Sequence, residues 1–111
     1  MTCCSENADN GTLENAASMA TVFAALSHPA RIDILRHISR HRHCGCKDIT
    51  QVLPLAQSTI SQHLKVLCEA GLITLETVPP RSRYEVNEDL LKDVSLTTSQ
   101  FLNSCCNSDC C

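Results

Sequence analysis

The stretch LAQSTISQHLKVLCEAG, residues 55–71, decides the fold. Ile60, Leu64 and Leu67 recur at steps of four and three, which places them on one face of a helix. Gly71 is typical of the left-handed residue that ends a helix. The sequence therefore predicts a helix over residues 57–70 with one apolar face toward the core. Its outward face, mainly in the first turns, is polar and consists of Gln57, Ser58, Thr59, Ser61, Gln62, His63 and Lys65.

Those outward side chains carry hydrogen-bonding groups suited to reading DNA. Gln pairs with adenine edges, and Ser and Thr reach bases or phosphates. The first turn of a helix also presents free backbone N–H groups to a phosphate. An ordinary solvated helix face has a similar composition, so the neighbouring elements decide between the two interpretations.

The neighbouring elements favour DNA binding. KDITQVLP (residues 47–54) predicts a short helix before the polar one. LITLETV (72–78) and SRYEVN (82–87) are strand-like, and PPR between them predicts a tight turn, so the pair forms a hairpin. Arg81 and Arg83 on this hairpin are placed to reach a minor groove or the DNA backbone. Two helices followed by a basic hairpin form a winged helix-turn-helix.

The remaining helices flank this unit. A first helix is predicted from about Glu14 to Leu26, with a second from SHPARIDILRHI (27–38), capped by Ser27 or His28 and with Pro29 in its first turn. Asn87 is predicted to cap a last helix. The residues predicted to form the apolar stripes are Ala16, Met19, Ala20, Phe23 and Leu26 in the first helix, Ile32, Leu35 and Ile38 in the second, and Leu90, Leu91, Val94, Phe101 and Leu102 in the last.

The predicted fold class is therefore mainly α with a small β-hairpin, in the order α-α-α-α-β-β-α. We expect a disordered segment over residues 1–12, a winged helix-turn-helix domain over 13–104 and a Cys-rich tail over 105–111. A chain of 111 residues has only a modest core, and many domains of this size complete it by dimerising.

Nine cysteines raise the alternative of a secreted disulfide scaffold. The odd number, the polar N-terminal MTCCSENADNGTLEN and the periodic apolar residues of the middle all oppose it. We therefore expect reduced thiols and a cytoplasmic location. No apolar run approaches the roughly 20 residues that cross a bilayer, so no membrane partner is expected.

The net charge of −3 is unevenly distributed. Residues 31–83 hold eight Lys and Arg against four acids, a net charge of +4, whereas the rest holds one Lys against eight acids, a net charge of −7. A basic middle between acidic ends is compatible with a local DNA-binding face.

Four stretches resemble the ArsR/SmtB family of metalloregulators: ALSHPARIDILRHI (25–38), CGCKDI (44–49), LPLAQSTISQHLKVLCEAGLI (53–73) and SRYEVN (82–87). The resemblance covers about residues 14–104. It implies a homodimer formed through the first and last helices that binds operator double-stranded DNA, represses transcription and is released by an inducer. Neither a glycine-rich phosphate loop nor a nucleophile motif is present, so no enzyme is expected.

The resemblance also implies where an inducer binds. Family members carry vicinal cysteines at the end of the last helix, a Cys-x-Cys pair before the third helix, or thiols near the N-terminus. The matching positions here are Cys105 and Cys106, Cys44 and Cys46 (the secondary set), and Cys3 and Cys4; Cys105 and Cys106 form the primary set together with the nearby Cys110 and Cys111, which the resemblance does not cover.

Thiolates select soft ions, whereas the last helix, EDLLKDVSLTTSQFLNS, has no His for the family's type of zinc site. We expect As(III), held by Cys105, Cys106 and one of Cys110 or Cys111, with Sb(III) or a methylated arsenical as alternatives. Cys68 lies among apolar residues and is expected in the core.

Three rival functions stay open. A thiol redox or persulfide sensor would use the same fold and the same paired cysteines. A sensor of Cd(II) or another soft metal would use the same thiolates. A thiol-rich metal buffer or metallochaperone would bind metal without operator specificity, and the polar helix at residues 57–70 opposes it.

Overall fold

The computed structural model describes residues 15–41, 45–78 and 81–106. The predictions for the segment 1–12, for Cys3, Cys4, Cys44, Cys110 and Cys111, and for the start of the first helix at Glu14 lie outside these residues. The elements are α1 Ala16–Ala25, α2 Pro29–Arg40, α3 Cys46–Val52, α4 Gln57–Glu69, β1 Ile73–Val78, β2 Arg81–Val86 and α5 Glu88–Cys105. The predicted order of elements is confirmed. None of the helices within the described ranges is long and apolar enough to cross a membrane.

The starts of α1 and α2 are set by side-chain caps. The Asn15 side chain accepts a hydrogen bond from the Ser18 backbone N–H at 2.8 Å. The Ala30 backbone N–H donates to Nδ1 of His28 at 3.1 Å, and Pro29 occupies the first position of α2. His28, rather than Ser27, is therefore the cap, and the proline sits where no backbone N–H is needed.

The core is built around α4. Ile60, Leu64 and Leu67 are fully buried, as predicted, together with residues of every other element except β2 and α5. The core consists of Val22, Ala25, Ile34, Ile38, Ile49, Ile60, Leu64, Leu67, Leu72 and Ile73. Because burying a Val, Leu or Ile side chain contributes about 1.5–3 kcal/mol, this cluster holds α4 in place.

The predicted core faces of α1 and α2 need correction. In α2, Ile34 is fully buried whereas Ile32 is 38% exposed. In α1, Val22 and Ala25 are buried, whereas Phe23 is 40% exposed and Ala16 and Ala20 are also exposed. Both helices carry apolar residues on two faces, so periodicity alone did not identify which face meets the core.

Gly71 ends α4 in the left-handed conformation, with φ of 83°. The Gly71 N–H donates to the Cys68 carbonyl at 3.0 Å, and the Leu72 N–H donates to the Leu67 carbonyl at 3.1 Å. This pair of bonds is the Schellman motif, which satisfies carbonyls at the end of a helix. The predicted helix stop is confirmed.

The hairpin pairs β1 with β2 in antiparallel register, from Ile73 opposite Val86 to Val78 opposite Arg81. Arg81 therefore belongs to the second strand, one residue earlier than the sequence predicted. The backbone N–H of Asn87 donates to the Leu72 carbonyl at 2.9 Å and extends the pairing beyond the strands.

The last helix, α5, runs for 18 residues without interruption at the Thr97–Ser99 segment. Asn87 caps it by accepting from the Leu90 N–H at 3.3 Å, and its side-chain amide donates to the Gly71 carbonyl at 3.0 Å. Leu90, Leu91 and Val94 pack against the core, but no residue of α5 is fully buried. Its C-terminal half is therefore exposed in the single chain.

Candidate nucleic-acid interface and thiol sites

The first two helices of the DNA-binding unit, α3 and α4, are joined by residues 53–56. At the start of α3 the Asp48 carboxylate accepts from the Gly45 N–H at 2.9 Å. Buried Ile49 anchors α3 in the core that α4 shares. In the turn, the Leu55 N–H donates to the Leu53 carbonyl at 2.8 Å, so the connection is tight. These contacts fix α3 as the support for α4.

The polar face of α4 points outward because Ile60, Leu64 and Leu67 occupy its inner face. The predicted DNA-contacting residues Gln57, Ser58, Ser61, Gln62 and Lys65 are exposed, and Thr59 is half-buried. Their amide, hydroxyl and ammonium groups are the donors and acceptors that contact bases and phosphates.

The N-terminus of α4 has no side-chain cap from its N-cap residue, Ala56. The Ile60 N–H donates to the Ala56 carbonyl at 3.0 Å, so helical hydrogen bonding starts at Ile60. The backbone N–H groups of Gln57, Ser58 and Thr59, which precede Ile60, point out of the N-terminal end of the helix along its axis. Backbone N–H groups in this arrangement suit a DNA phosphate.

His63 is held by its neighbours instead of projecting freely. Its ring is half-buried, and its Nδ1 accepts a hydrogen bond from Nε of Arg31 at 3.2 Å. The ring centroid lies 4.6 Å from that of His28. Burial, followed by the charges of His28 and Arg31, lowers the pKa of His63 below its usual 6.5. The imidazole is therefore neutral at pH 7, and because Nδ1 accepts, its proton lies on Nε2.

The hairpin places the predicted arginines on one strand. Arg83 is half-buried and lies opposite Glu76 in the register, and the backbone of Arg81 pairs with Val78 at the turn end of β2. β1 follows directly from Gly71 at the end of α4, and β2 with the arginines pairs along β1, so the hairpin is connected to the polar helix by a short, hydrogen-bonded junction.

The C-terminal thiols lie at the end of α5. Cys105 is the last residue of the helix and Cys106 is its C-cap, and both side chains are exposed. Consecutive residues of a helix point about 100° apart, so these two sulfurs diverge. Among the described residues no group of three or more His, Cys, Asp and Glu side chains is close enough to hold a metal ion.

The two remaining described cysteines differ from these. Cys46 is the first residue of α3, and its predicted partner Cys44 lies outside the described residues. Cys68 is half-buried against the core, and burial, followed by the charge of Glu69, raises the pKa of its thiol. A thiol that resists ionisation is a poor ligand, which agrees with its predicted structural role.

Known proteins match this arrangement. The family described as "Helix-turn-helix domain" matches residues 26–76. The "Arsenical resistance operon repressor" of Bacillus subtilis (strain 168) is 35% identical over 96 residues, which cover 80% of this chain and 86% of that protein. The solved structure of an "ArsR-like Transcriptional Regulator from Rhodococcus sp. RHA1" superposes with a TM-score of 0.72 at 28% identity and covers 79% of this chain and 82% of that one.

A second solved structure carries the same fold at lower identity. It is the homodimeric winged helix-turn-helix DNA-binding domain Mb0332 from Mycobacterium bovis, with a TM-score of 0.64 at 23% identity, covering 75% of this chain and 77% of that one. Identity and coverage with the Bacillus subtilis repressor, together with the exposed polar helix beside a hairpin, lead to one conclusion. The chain belongs to the ArsR/SmtB family of winged helix-turn-helix transcriptional regulators and is a DNA-binding repressor, not an enzyme.

Proposed function

We propose that this protein is a homodimeric repressor that leaves its operator when trivalent arsenic binds thiolates at the C-terminal end of α5. One observation carries the proposal: Cys105 and Cys106 are both exposed at the end of α5, the helix that also exposes Leu96, Phe101 and Leu102. The name of the Bacillus subtilis relative, an arsenical resistance operon repressor, supports the inducer class.

The dimer part of the proposal rests on that apolar surface. Along α5, Leu96 is 60% exposed, Phe101 46% and Leu102 52%, and Phe23 on α1 is also exposed. Large apolar side chains left exposed along one helix of a small domain are typical of a protein interface. A second copy of the chain, related by two-fold symmetry, covers the same residues on both partners. The homodimeric Mycobacterium bovis neighbour has the same fold.

The reaction at the thiols is a ligand exchange without oxidation or reduction. Arsenious acid reacts with three thiols: three As–O bonds are replaced by three As–S bonds, each hydroxyl leaves with a thiol proton as water, and the lone pair of arsenic stays unshared. Cys105 and Cys106 diverge on the helix end, so a third sulfur has to come from elsewhere. Cys110 or Cys111 follows within a few residues, a span short enough for the chain to turn back on the helix end.

The same exchange chemistry applies to the alternative inducers and to the other cysteine pairs. Sb(III) takes the same three thiolates, whereas a monomethylated arsenical has only two exchangeable positions. The secondary set, Cys44 and Cys46, would act directly at the start of α3. Cys3 and Cys4 are the remaining candidates for a third ligand or a separate site.

Release from DNA follows from the geometry of a two-fold dimer. Its two α4 helices have to fit successive major grooves about 34 Å apart. The operator DNA, and with it the proposed place of action, lies in the cytoplasm. Arsenic that draws the sulfurs together at the end of α5 changes the packing of α5 against its symmetry mate. The angle between the two α4 helices then changes. Coupling of this kind typically amounts to about 1–3 kcal/mol, or roughly 5- to 150-fold in DNA affinity.

The test is fluorescence anisotropy with a duplex that the wild-type protein selects from a random pool in reducing buffer. Arsenite is expected to release wild-type protein from the duplex. The variant Cys105→Ser/Cys106→Ser is expected to bind DNA equally well and stay bound. Cys3→Ser/Cys4→Ser removes the same number of thiols and tests the N-terminal alternative: normal release of this variant shows that Cys3 and Cys4 are not required. Normal release of the Cys105→Ser/Cys106→Ser protein would disprove the assignment to α5.

A redox or persulfide sensor is the second candidate, because two exposed neighbouring thiols are also a site for disulfide or persulfide formation. Intact mass spectrometry of the released protein separates the two functions. Bound arsenic supports the proposal, whereas loss of hydrogen or addition of sulfur supports the alternative. Release by Cd(II) but not by arsenite would identify a soft-metal sensor.

A further inference from the structure

A single arginine side chain joins three helices. Arg31 lies in the first turn of α2. Its Nη1 donates to the carbonyls of Ala24 at 3.2 Å and Ala25 at 3.4 Å, both in the last turn of α1. Its Nε donates to Nδ1 of His63 in α4 at 3.2 Å. The guanidinium therefore links the end of α1 to the middle of the DNA-reading helix.

Both ends of this link are suited to a guanidinium. The carbonyls at the end of α1 form the negative end of its helix dipole, which favours a cation. The planar guanidinium fork presents several donors in fixed directions, so one side chain satisfies both helices. On the α4 side, His63 is neutral and offers Nδ1 as an acceptor, and its ring packs on that of His28. His28 is held in turn as the cap of α2.

The buried side chains of α4 are apolar. Ile60, Leu64 and Leu67 hold the helix on the core, but apolar contacts have less directional preference than hydrogen bonds and fix its rotation less sharply. A rotation of α4 by about 10° moves the tip of a side chain by roughly 1 Å at the outer radius of a helix, about 5–6 Å. A shift of that size weakens a hydrogen bond to a base edge. Gln62, next to His63, has an exposed amide that depends on this rotation.

We infer that Arg31 is a positioning residue for DNA reading: its link between α1 and His63 fixes the rotation of α4, and it does so without contacting DNA. The inference depends on the family's DNA binding, which holds whichever inducer acts. One further consequence rests on the proposed dimer. Because α1 carries the exposed Phe23 and lies at the proposed dimer interface, the link also fixes α4 relative to the two-fold axis.

The experiment compares Arg31→Gln with Arg36→Gln by anisotropy on the selected duplex without inducer. Arg36 lies in the same helix and is exposed, so its substitution removes an equal charge. Arg31→Gln is expected to weaken binding about tenfold more than Arg36→Gln, because hydrogen bonds to a charged group are lost. The slope of log K against log salt is expected to stay at the wild-type value, whereas loss of a phosphate contact reduces it by about 0.9.

Variants of His63 give the second readout. His63→Leu removes the acceptor as well as Nε2 and is expected to lose at least as much DNA affinity as Arg31→Gln. His63→Asn keeps an acceptor where Nδ1 lies and lacks only Nε2, so it is expected to bind DNA more tightly than His63→Leu. The double variant Arg31→Gln/His63→Leu is expected to be no weaker than His63→Leu alone, since both changes break the same link.

Three results would overturn the inference: equal effects of the two arginine variants, a salt slope reduced by about one unit in Arg31→Gln, or additive effects in the double variant. Stoichiometric titration with excess duplex gives the active fraction, which separates lost affinity from partial unfolding. If Arg31→Gln does not fold, Arg31→Lys, which keeps the charge but not the fork, takes its place with the same expected loss. Failure of arsenite to release wild-type protein would refute the proposed inducer and leave these measurements unaffected.

Discussion

Substitution of Gly71 by alanine tests the junction at which α4, the hairpin and α5 meet. Gly71 has φ of 83°, and its carbonyl accepts from the Asn87 side chain that caps α5. A Cβ added at Gly71 would lie 3.3 Å from Cδ2 of Leu90, closer than ordinary contact but against the flexible end of a side chain. The backbone conformation, more than the space, therefore sets the cost.

The expected loss is about 1 kcal/mol in the free energy of unfolding. The left-handed conformation costs an L-residue roughly 1–2 kcal/mol relative to glycine. Alanine also reduces the entropy of the unfolded chain, which offsets roughly 0.4–1 kcal/mol of that cost. For a domain of this size, 1 kcal/mol corresponds to a fall in Tm of about 4–8 °C.

The assay is thermal unfolding followed by circular dichroism at one fixed protein concentration, because the Tm of a dimer depends on concentration. Gly71→Asn is the matched variant, since asparagine adds a larger side chain but tolerates the left-handed region better. We expect the order wild type, Gly71→Asn, Gly71→Ala in falling Tm. A Tm for Gly71→Ala equal to or above that of the wild type would refute the reasoning, and a lower Tm for Gly71→Asn than for Gly71→Ala would show that space is decisive.

Two further predictions concern the dimer and pH. Phe101→Glu is expected to weaken the dimer at least about tenfold, because an unpaired carboxylate is costly to bury. Gln100→Glu adds the same charge at the neighbouring exposed position and is expected to have a smaller effect. Sedimentation equilibrium measures the dimer affinity of both variants, and equal effects would contradict the proposed interface. The pKa of His63 is lowered in the folded chain, so below pH 6.5 the unfolded chain binds more protons than the folded one. The contribution of His63 to the free energy of unfolding is therefore fully present above pH 6.5 and is lost as the pH falls toward the folded pKa. The pKa of His37 is also lowered, so His37 contributes to the pH dependence with the same sign. Urea unfolding at pH 7.5 and 5.5 measures the fall in the free energy of unfolding between these two values. That fall is expected to be smaller in His63→Asn than in the wild type, and an unchanged fall would refute the contribution of His63.

The sequence was sufficient to predict α4 because only one of its faces is apolar. Ile60, Leu64 and Leu67 are buried and Gly71 ends the helix, as expected. The faces of α1 and α2 were misassigned because each helix has apolar residues in two directions. Ile32 was predicted to be buried and is exposed in the single chain.

The link between Arg31 and His63 had no signal in the sequence. The two residues are 32 positions apart, and each lies in a segment whose local pattern suggests a solvated polar face. Only the packing of α2 against α4 brings the guanidinium to the ring. His63 was predicted to contact DNA, and that prediction still stands for its Nε2, since the structure assigns a partner only to Nδ1.

The separation between the C-terminal thiols and α4 constrains how the proposed signal from bound arsenic would reach α4. Asn87 ties the N-terminal end of α5 to Gly71 and Leu72, directly after α4. Cys105 lies at the opposite end of an 18-residue helix, about 27 Å away at 1.5 Å per residue. A local change around the sulfurs therefore cannot reach α4 through direct contact. A tilt of α5 by about 5° about its Asn87 end, however, moves the Cys105 end by roughly 2 Å over this length. Arsenic that fixes the C-terminal ends of two α5 helices in a dimer would thus select a tilt, and the hydrogen-bonded junction at Asn87 would transmit it to the position of α4.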